Sequence, residues 1–236
     1  MSIRGVLFDL NGTLLVSRDD EAAWNDWSHT LWQTLCDHAP NHDEQAFRER
    51  CGSIFASPEL PPPIDGLSIY EQRIHAFCSD EGISPGTDCI RVAARSSVAA
   101  WLKYMELDPE TVPLLEHLRK TCRVALVSNF DHPSYLHEHL RALGLHALFD
   151  TVLISGECGC CKPDPGIFHL ALESLDLRPN EVLHVGDSDE DVLGAHAAEC
   201  LPVRIRRSGE ANAVDESCRA TTIRSLKEIL PLLAGF

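Results

Sequence analysis

Ile3-Arg4-Gly5-Val6-Leu7-Phe8-Asp9-Leu10-Asn11-Gly12-Thr13-Leu14 begins as a short, mostly apolar run and breaks off at a carboxylate followed by a turn pair. Residues 3–8 alternate poorly between apolar and polar, the pattern of a strand buried on both faces. Asn11-Gly12 supplies the turn that ends it. A strand buried on both sides needs helices above and below it, so helical and strand segments should alternate along the chain. From residue 106 onward they do. A helix near 110–119 leads to the run Cys122–Val127, and one near 133–142 leads to Thr151-Val152-Leu153-Ile154. A helix near 165–175 leads to Val182-Leu183-His184-Val185, and one near 189–198 leads to Pro202-Val203-Arg204-Ile205. A last helix is predicted near 223–233.

Between residues 19 and 105 the character differs. Trp24, Trp27, Leu31 and Leu35 recur at three- and four-residue spacing, which predicts an amphipathic helix near 20–37. Similar patterns follow near 43–55, 68–80 and 86–105, separated by Pro58, Pro61-Pro62-Pro63 and Ser84-Pro85-Gly86, and no segment here reads as a strand. The Pro-rich stretch reads as a connection, and the Trp24, Trp27 and Trp32 group as core of the insert. The expected fold class is α/β: a Rossmann-like parallel-sheet core in three α/β/α layers, from residues 1–16 and 106–236, with an all-helical domain inserted over 17–105.

The bulk properties agree with that organisation and exclude some partners. The chain has 236 residues, 44% of them apolar, enough for one core plus a smaller insert. Its formal net charge of −16 argues against nucleic acid and anionic membranes, both of which reward Lys and Arg. No apolar stretch reaches the length of a membrane span, and the N-terminal run is too short for a secretory signal, so a cytoplasmic protein is expected. Ten cysteines are scattered over helix, strand and loop segments and read as free thiols. Cys158, Cys160 and Cys161 cluster, but no second Cys/His pair at finger spacing accompanies them.

In an open parallel sheet, ligands bind beyond the carboxyl ends of the strands. Asp9, Asn11, Gly12 and Thr13 follow the first strand; Ser128 and Asn129 follow the second. Lys162-Pro163-Asp164-Pro165 lies in the loop beyond the third, and Gly186-Asp187-Ser188, with Asp191, follows the fourth. Four segments thus bring a nucleophilic carboxylate, a hydroxyl, an ammonium and an acidic pair to one edge. Such a set suits attack on phosphorus through an acyl phosphate, which splits one difficult step into two. Two anions must meet, so charge has to be neutralised. Mg2+ on Asp9, Asp187 and Asp191 would do so, with Lys162 as a point charge and Ser128 as a phosphate donor. Asn129 reads either as an orienting residue at the site or as a turn former, and Thr13 as a brace of the first loop. The histidines, including His132, His137, His139, His169 and His196, read as non-ligands.

These segments resemble, in order and spacing, the four motifs of the haloacid dehalogenase superfamily: Asp9-Leu10-Asn11-Gly12-Thr13, Val127-Ser128-Asn129, Lys162-Pro163-Asp164, and Gly186-Asp187-Ser188 with Asp191. The helical insert resembles the cap of the subgroup that holds phosphoglycolate phosphatase-like and 2-haloacid dehalogenase-like proteins. The resemblance implies a Rossmann-like core, a mobile cap, Mg2+ and hydrolysis of a small phosphorylated metabolite. It assigns Asp9, Asn11, Ser128 and Lys162 to catalysis, Ser128, Asn129 and Lys162 to phosphate, and Asp9, the Asn11 carbonyl, Asp187 and Asp191 to metal. One position departs. Family phosphatases carry an acid–base Asp where this chain has Asn11, an amide that neither gives nor takes the proton, at a cost of about 10²–10⁴-fold in rate. Asn11 is compatible with an engineered trap, with a naturally slow enzyme or non-catalytic binder, with dehalogenation at Asp9, and with deamidation of Asn11-Gly12 to Asp. Arg48, Arg50 and Arg73 in the insert read equally as anion contacts and as solvated helix faces. Neither substrate nor oligomeric state is legible.

Overall fold

The computed structural model describes residues 2–39, 41–56, 63–207 and 220–235. The expected connection at Pro58 and Pro61-Pro62 lies outside the described residues. In chain order the elements are β1 (Gly5–Phe8), β2 (Leu15–Ser17), α1 (Asp20–Leu35), α2 (Glu44–Arg50), α3 (Ile69–Asp80), α4 (Thr87–Leu102) and β3 (Met105–Leu107). There follow α5 (Thr111–Leu118), β4 (Arg123–Ser128), α6 (Pro133–Ala142), β5 (Thr151–Ile154), α7 (Ser155–Cys158) and α8 (Pro165–Leu175). The chain closes with β6 (Val182–Gly186), α9 (Asp189–Ala197), β7 (Leu201–Ile205), β8 (Thr221–Ile223) and α10 (Ile229–Leu233). Two compact units result, Met1–Val16 with Leu107–Phe236, and Ser17–Glu106.

The first unit is built on a six-stranded sheet of order β5-β4-β1-β6-β7-β8, parallel throughout. β1 pairs with β4 on one side and β6 on the other, Phe8 standing level with Leu126 and Val185. All four β1 residues are buried, as are Val124, Leu126 and Val127 on β4. Leu7, Ala125 and Val127 face Ile167, Phe168 and Ala171 of α8 and Ala195 of α9. Each such Leu, Val or Phe removed from water contributes about 1.5–3 kcal/mol. After β5 the chain returns across β1 to form β6, and at such a reversal the connecting loops diverge and leave a crevice at the carboxyl ends. Local chemistry fixes the flanking helices. Asp164 caps α8 by accepting from the Gly166 amide at 2.7 Å, with Pro165 in the first helical turn, where a missing N–H costs nothing. Ser188 caps α9 in a reciprocal box with Asp191.

The second unit is helical, with α1 packed along α4. Trp27 is buried and donates its indole N–H to Tyr70 Oη at 2.7 Å. Trp24 stacks on Trp27 at 4.7 Å but is 41% exposed, so the tryptophan group is core on one side only. Arg48 bonds Ser28 and Asn25, and Arg50 bonds Glu81, so both serve contacts within this unit. No helix among the described residues is long and apolar enough to cross a membrane.

Several boundaries differ from expectation. The 43–55 helix is α2 followed by a 3-10 turn over Cys51–Phe55, where Gly52 and Ser53 weaken α-helical continuation. The 86–105 helix ends at Leu102, and Met105–Leu107 is a strand pairing with β2, too short to carry a period. The single helix near 223–233 is instead β8, a 3-10 turn and a five-residue helix. There the β-branched Thr221-Thr222-Ile223 joins the sheet edge, and Ser225 caps a new start.

Candidate active site

Asp9 sits one residue beyond β1, its backbone N–H bonded to the Val185 carbonyl at 2.9 Å. Lys162 reaches it from the loop between β5 and α8: Nζ donates to Asp9 Oδ1 at 2.5 Å and to Asp191 Oδ1 at 2.7 Å. Lys162 is 3% exposed, unlike an ordinary solvated loop lysine. Its backbone is held as well. Asn129 Oδ1 accepts from the Lys162 amide at 2.8 Å, and Asn129 Nδ2 donates to the Lys162 carbonyl at 2.9 Å and to Glu190. Asn129 is therefore engaged in positioning Lys162.

Asp187 follows β6. Its Oδ1 accepts from Thr13 Oγ1 at 3.2 Å, which ties the first motif loop to the fourth and makes Thr13 the brace expected. Gly12 has φ +82, and a Cβ there would overlap the Asp187 carboxylate. Only glycine fits, for both reasons. Ser128 closes β4 and is buried, with Oγ lacking a protein partner among the described residues. It does not cap α6, whose N-cap is His132. Asn11 Oδ1 is likewise buried without a partner.

One carboxylate oxygen from each of Asp9, Asp187 and Asp191 lies within 4.8 Å of the others. Asp191 is nevertheless differently employed. Its Oδ1 accepts from Lys162 and from His184 Nε2 at 2.9 Å, and its Oδ2 accepts from the Ser188 amide at 3.1 Å and hydroxyl at 2.6 Å. A carboxylate has about four acceptor directions, and these four bonds take them. Asp191 thus holds Lys162, while Asp9 and Asp187 keep oxygens for another ligand.

The electrostatics point the same way. Burial pushes the Asp9 carboxyl up to about 7, helped by Asp191 and Asp187 and opposed by Lys162. Burial also raises Asp187, with Asp191 adding to it. Burial opposes the charged forms of Lys162 and Asp191, but their pairing prevails, holding the ammonium above and the Asp191 carboxyl below their usual ranges. Three carboxylates around one ammonium leave an uncompensated negative charge. Oxygen ligands with that excess suit a hard divalent cation, so the residues fit Mg2+ on Asp9 and Asp187.

Three residues went unread in the sequence. His184, inside β6, packs edge-on against Phe168 at 4.8 Å while bonding Asp191. Arg204 donates to the Asp187 carbonyl at 3.1 Å and pairs with Asp189 at 2.7 Å. Arg207 forks onto the Gly12 carbonyl at 2.5 Å, the Thr13 carbonyl at 2.7 Å and Asp108. A basic residue just past the end of β7 was the available signal for Arg207, whereas Arg204 lies inside that strand. His184 carried none. Among the thiols, Cys158 and Cys160 pack against the core and are raised by burial, so they are weak nucleophiles.

A parallel α/β sheet bearing an aspartate, a buried lysine and an acidic pair at its carboxyl edge defines a hydrolase of the kind the motifs suggested. A family model described as haloacid dehalogenase-like hydrolase matches residues 3–199, and the chain belongs to that family. It is similar to glyceraldehyde 3-phosphate phosphatase of Methanopyrus kandleri, 38% identical over 107 residues, covering 44% of this chain and 45% of that one. It is also similar to (S)-2-haloacid dehalogenase 4A of Burkholderia cepacia, 30% identical over 133 residues, 56% of this chain and 58% of that one. The chain spans about half the length of these curated relatives. Among solved structures, a HAD phosphatase from Thermococcus onnurineus shares the fold at TM-score 0.73 and 24% identity, covering 99% of both chains. A 2-haloacid dehalogenase from Pseudomonas syringae aligns at TM-score 0.70 and 26% identity, over 99% of both.

Proposed function

We propose that this chain is a Mg2+-dependent phosphatase of small phosphorylated metabolites, working through a phosphorylated Asp9. The observation that carries the reading is the buried Lys162 ammonium, shared between Asp9 and Asp191, with the Asp187 carboxylate beside them. Displacement of halide from carbon by Asp9 has no evident need for that excess of negative charge, whereas a cation-assisted attack on a phosphate dianion has.

Asp9 and Asp187 would hold the cation, which when bound neutralises the charge between the attacking carboxylate and the phosphoryl group. Lys162 favours the ionised form of Asp9 and holds it in place, and its own position is fixed by Asp191 and by Asn129. Ser128 Oγ, buried and free of protein partners among the described residues, is available to donate to a phosphoryl oxygen. Asp9 attacks phosphorus, the P–O bond to the leaving group breaks, and water then hydrolyses the acyl phosphate. Asn11 supplies no proton to the leaving oxygen and takes none from water, so both steps run without acid–base help at that position.

The dehalogenase reading keeps one support, since Asn11 and the Burkholderia relative both accord with it. Hydrolysis of p-nitrophenyl phosphate, with and without Mg2+, on this protein and its Asn11→Asp variant separates the readings. A Mg2+-dependent gain of about 10²–10⁴-fold in the variant is expected. Release of halide from a 2-haloacid, unaffected by a chelator and with no phosphatase activity in either protein, would replace the phosphatase reading. Retained phosphate binding with no turnover in either protein would identify a non-catalytic binder.

A further inference from the structure

His184 lies in the middle of the central sheet, level with Leu7 on β1 and Pro202 on β7. It is 1% exposed and surrounded by core, with the Phe168 ring edge-on against it. A histidine is an awkward core residue, because both ring nitrogens need partners. Here Nε2 has one, Asp191 Oδ1, and Nδ1 is buried with none among the described residues. Leucine or methionine would pack against Phe168 without leaving a polar atom unsatisfied. The residue makes sense by what it gives Asp191.

We propose that His184 is a positioning residue for the reacting pair: its Nε2–H donates to Asp191 Oδ1 and, through that carboxylate, sets where the Lys162 ammonium stands against Asp9. The geometry is a relay of three contacts, His184 to Asp191 at 2.9 Å, Asp191 to Lys162 at 2.7 Å, and Lys162 to Asp9 at 2.5 Å. Lys162 and His184 share one oxygen of Asp191. With His184 in place, that oxygen's charge is divided between two donors, and the ammonium is left to Asp9. Without it, Asp191 Oδ1 has Lys162 alone and draws the ammonium toward itself. The Asp191 carboxylate stays fixed meanwhile, because Ser188 holds its other oxygen through the amide and the hydroxyl. The bond to Asp191 favours a charged ring, but the balance of the surroundings lies with the neutral one. Burial disfavours its charged form, and the Lys162 ammonium nearby disfavours it further.

The inference rests on Asp9 and Lys162 being the reacting pair, so its test is arranged to stand apart from turnover. Of the four lysines, Lys103, Lys120 and Lys227 are exposed and Lys162 is buried, so its ammonium should give the one solvent-protected lysine signal in nitrogen-edited NMR. His184→Gln keeps an N–H donor on a side chain of similar reach, and His184→Met keeps volume without the donor. The expected result is a Lys162 signal retained in His184→Gln and shifted or lost to exchange in His184→Met, at thermal midpoints that do not follow the same order. With p-nitrophenyl phosphate and Mg2+, kcat should fall about tenfold in His184→Met and be rescued in His184→Gln, with KM little changed in either. An unchanged Lys162 signal in His184→Met, or equal loss in both variants, would overturn the proposal. In the unaltered protein, imidazole nitrogen shifts must show Nε2 protonated and Nδ1 bare; the opposite tautomer would overturn it without any variant. An absence of turnover in the unaltered protein counts against the phosphatase reading, and the NMR result still decides the role of His184.

Discussion

Replacing Lys162 by methionine removes the ammonium that serves Asp9 and Asp191 and leaves a side chain of similar length at the same buried position. Removing one partner of a buried ion pair costs about 3–5 kcal/mol, because the charge left behind is uncompensated. The folded protein has one relief, which is to keep a proton on Asp9. With Lys162 present, that carboxyl is already raised to about 7, against about 3.9 in an unfolded chain. A carboxyl raised by folding contributes stability that is full below the unfolded value and lost as pH climbs through the folded one. Without the ammonium, Asp9 moves higher still, and the folded variant holds its proton across pH 6–8. The unaltered protein holds on average about half a proton there. That difference of half a proton over two pH units, at about 1.4 kcal/mol per proton and unit, widens the deficit of the variant by about 1.4 kcal/mol between pH 6 and 8. Urea unfolding with EDTA, at pH 6 and at pH 8, measures it. A loss below about 1 kcal/mol, or one that does not grow with pH, would show that Lys162 does not carry the charge balance of this site.

Three further outcomes follow from the same geometry. Asp9→Asn removes one uncompensated charge, so turnover should vanish while the metal-free protein becomes more stable above pH 7, measured as a rise in thermal midpoint in EDTA. Mg2+ must compete with protons on Asp9 and Asp187, so its stabilisation in thermal shift should be larger at pH 8 than at pH 6; equal shifts would place the cation elsewhere. Gly12→Ala combines a φ of +82 with overlap on the Asp187 carboxylate, and should cost about 1–3 kcal/mol in chemical denaturation and weaken Mg2+ binding. Wild-type affinity in that variant would mean that Asp187 does not need its observed position.

What could be read from the chain divides by the range of the cause. β1 and β4 announced themselves because a strand buried on both faces is apolar at nearly every position, and α8 because Asp164-Pro165 is a local helix start. Asp9, Ser128, Lys162 and Asp187 were legible because topology alone brings residues after successive parallel strands to one edge. Partnerships were not. Asp191 reads as one of an acidic pair, and only its bonds to Lys162, His184 and Ser188 show that its oxygens are taken. Asn129 looks like a site residue, yet it clamps a backbone 33 residues away. Arg207 meets the first motif loop across 195 residues, and His184 is hidden in a strand whose pattern speaks only of core. β3 and β8, three residues each, are too short for any period, and pairing decides them.

The central claim is that Asp9 is the nucleophile of a phosphoryl transfer. It is tested most directly by quenching the protein in acid during turnover of p-nitrophenyl phosphate with Mg2+ and mapping phosphorylation by peptide mass spectrometry. The account predicts one phosphoryl group on the peptide that contains Asp9, accumulated because Asn11 does not assist its hydrolysis, and absent in Asp9→Asn. Release of phosphate with no phosphoryl group on that peptide, or with the group unaffected by Asp9→Asn, would contradict it.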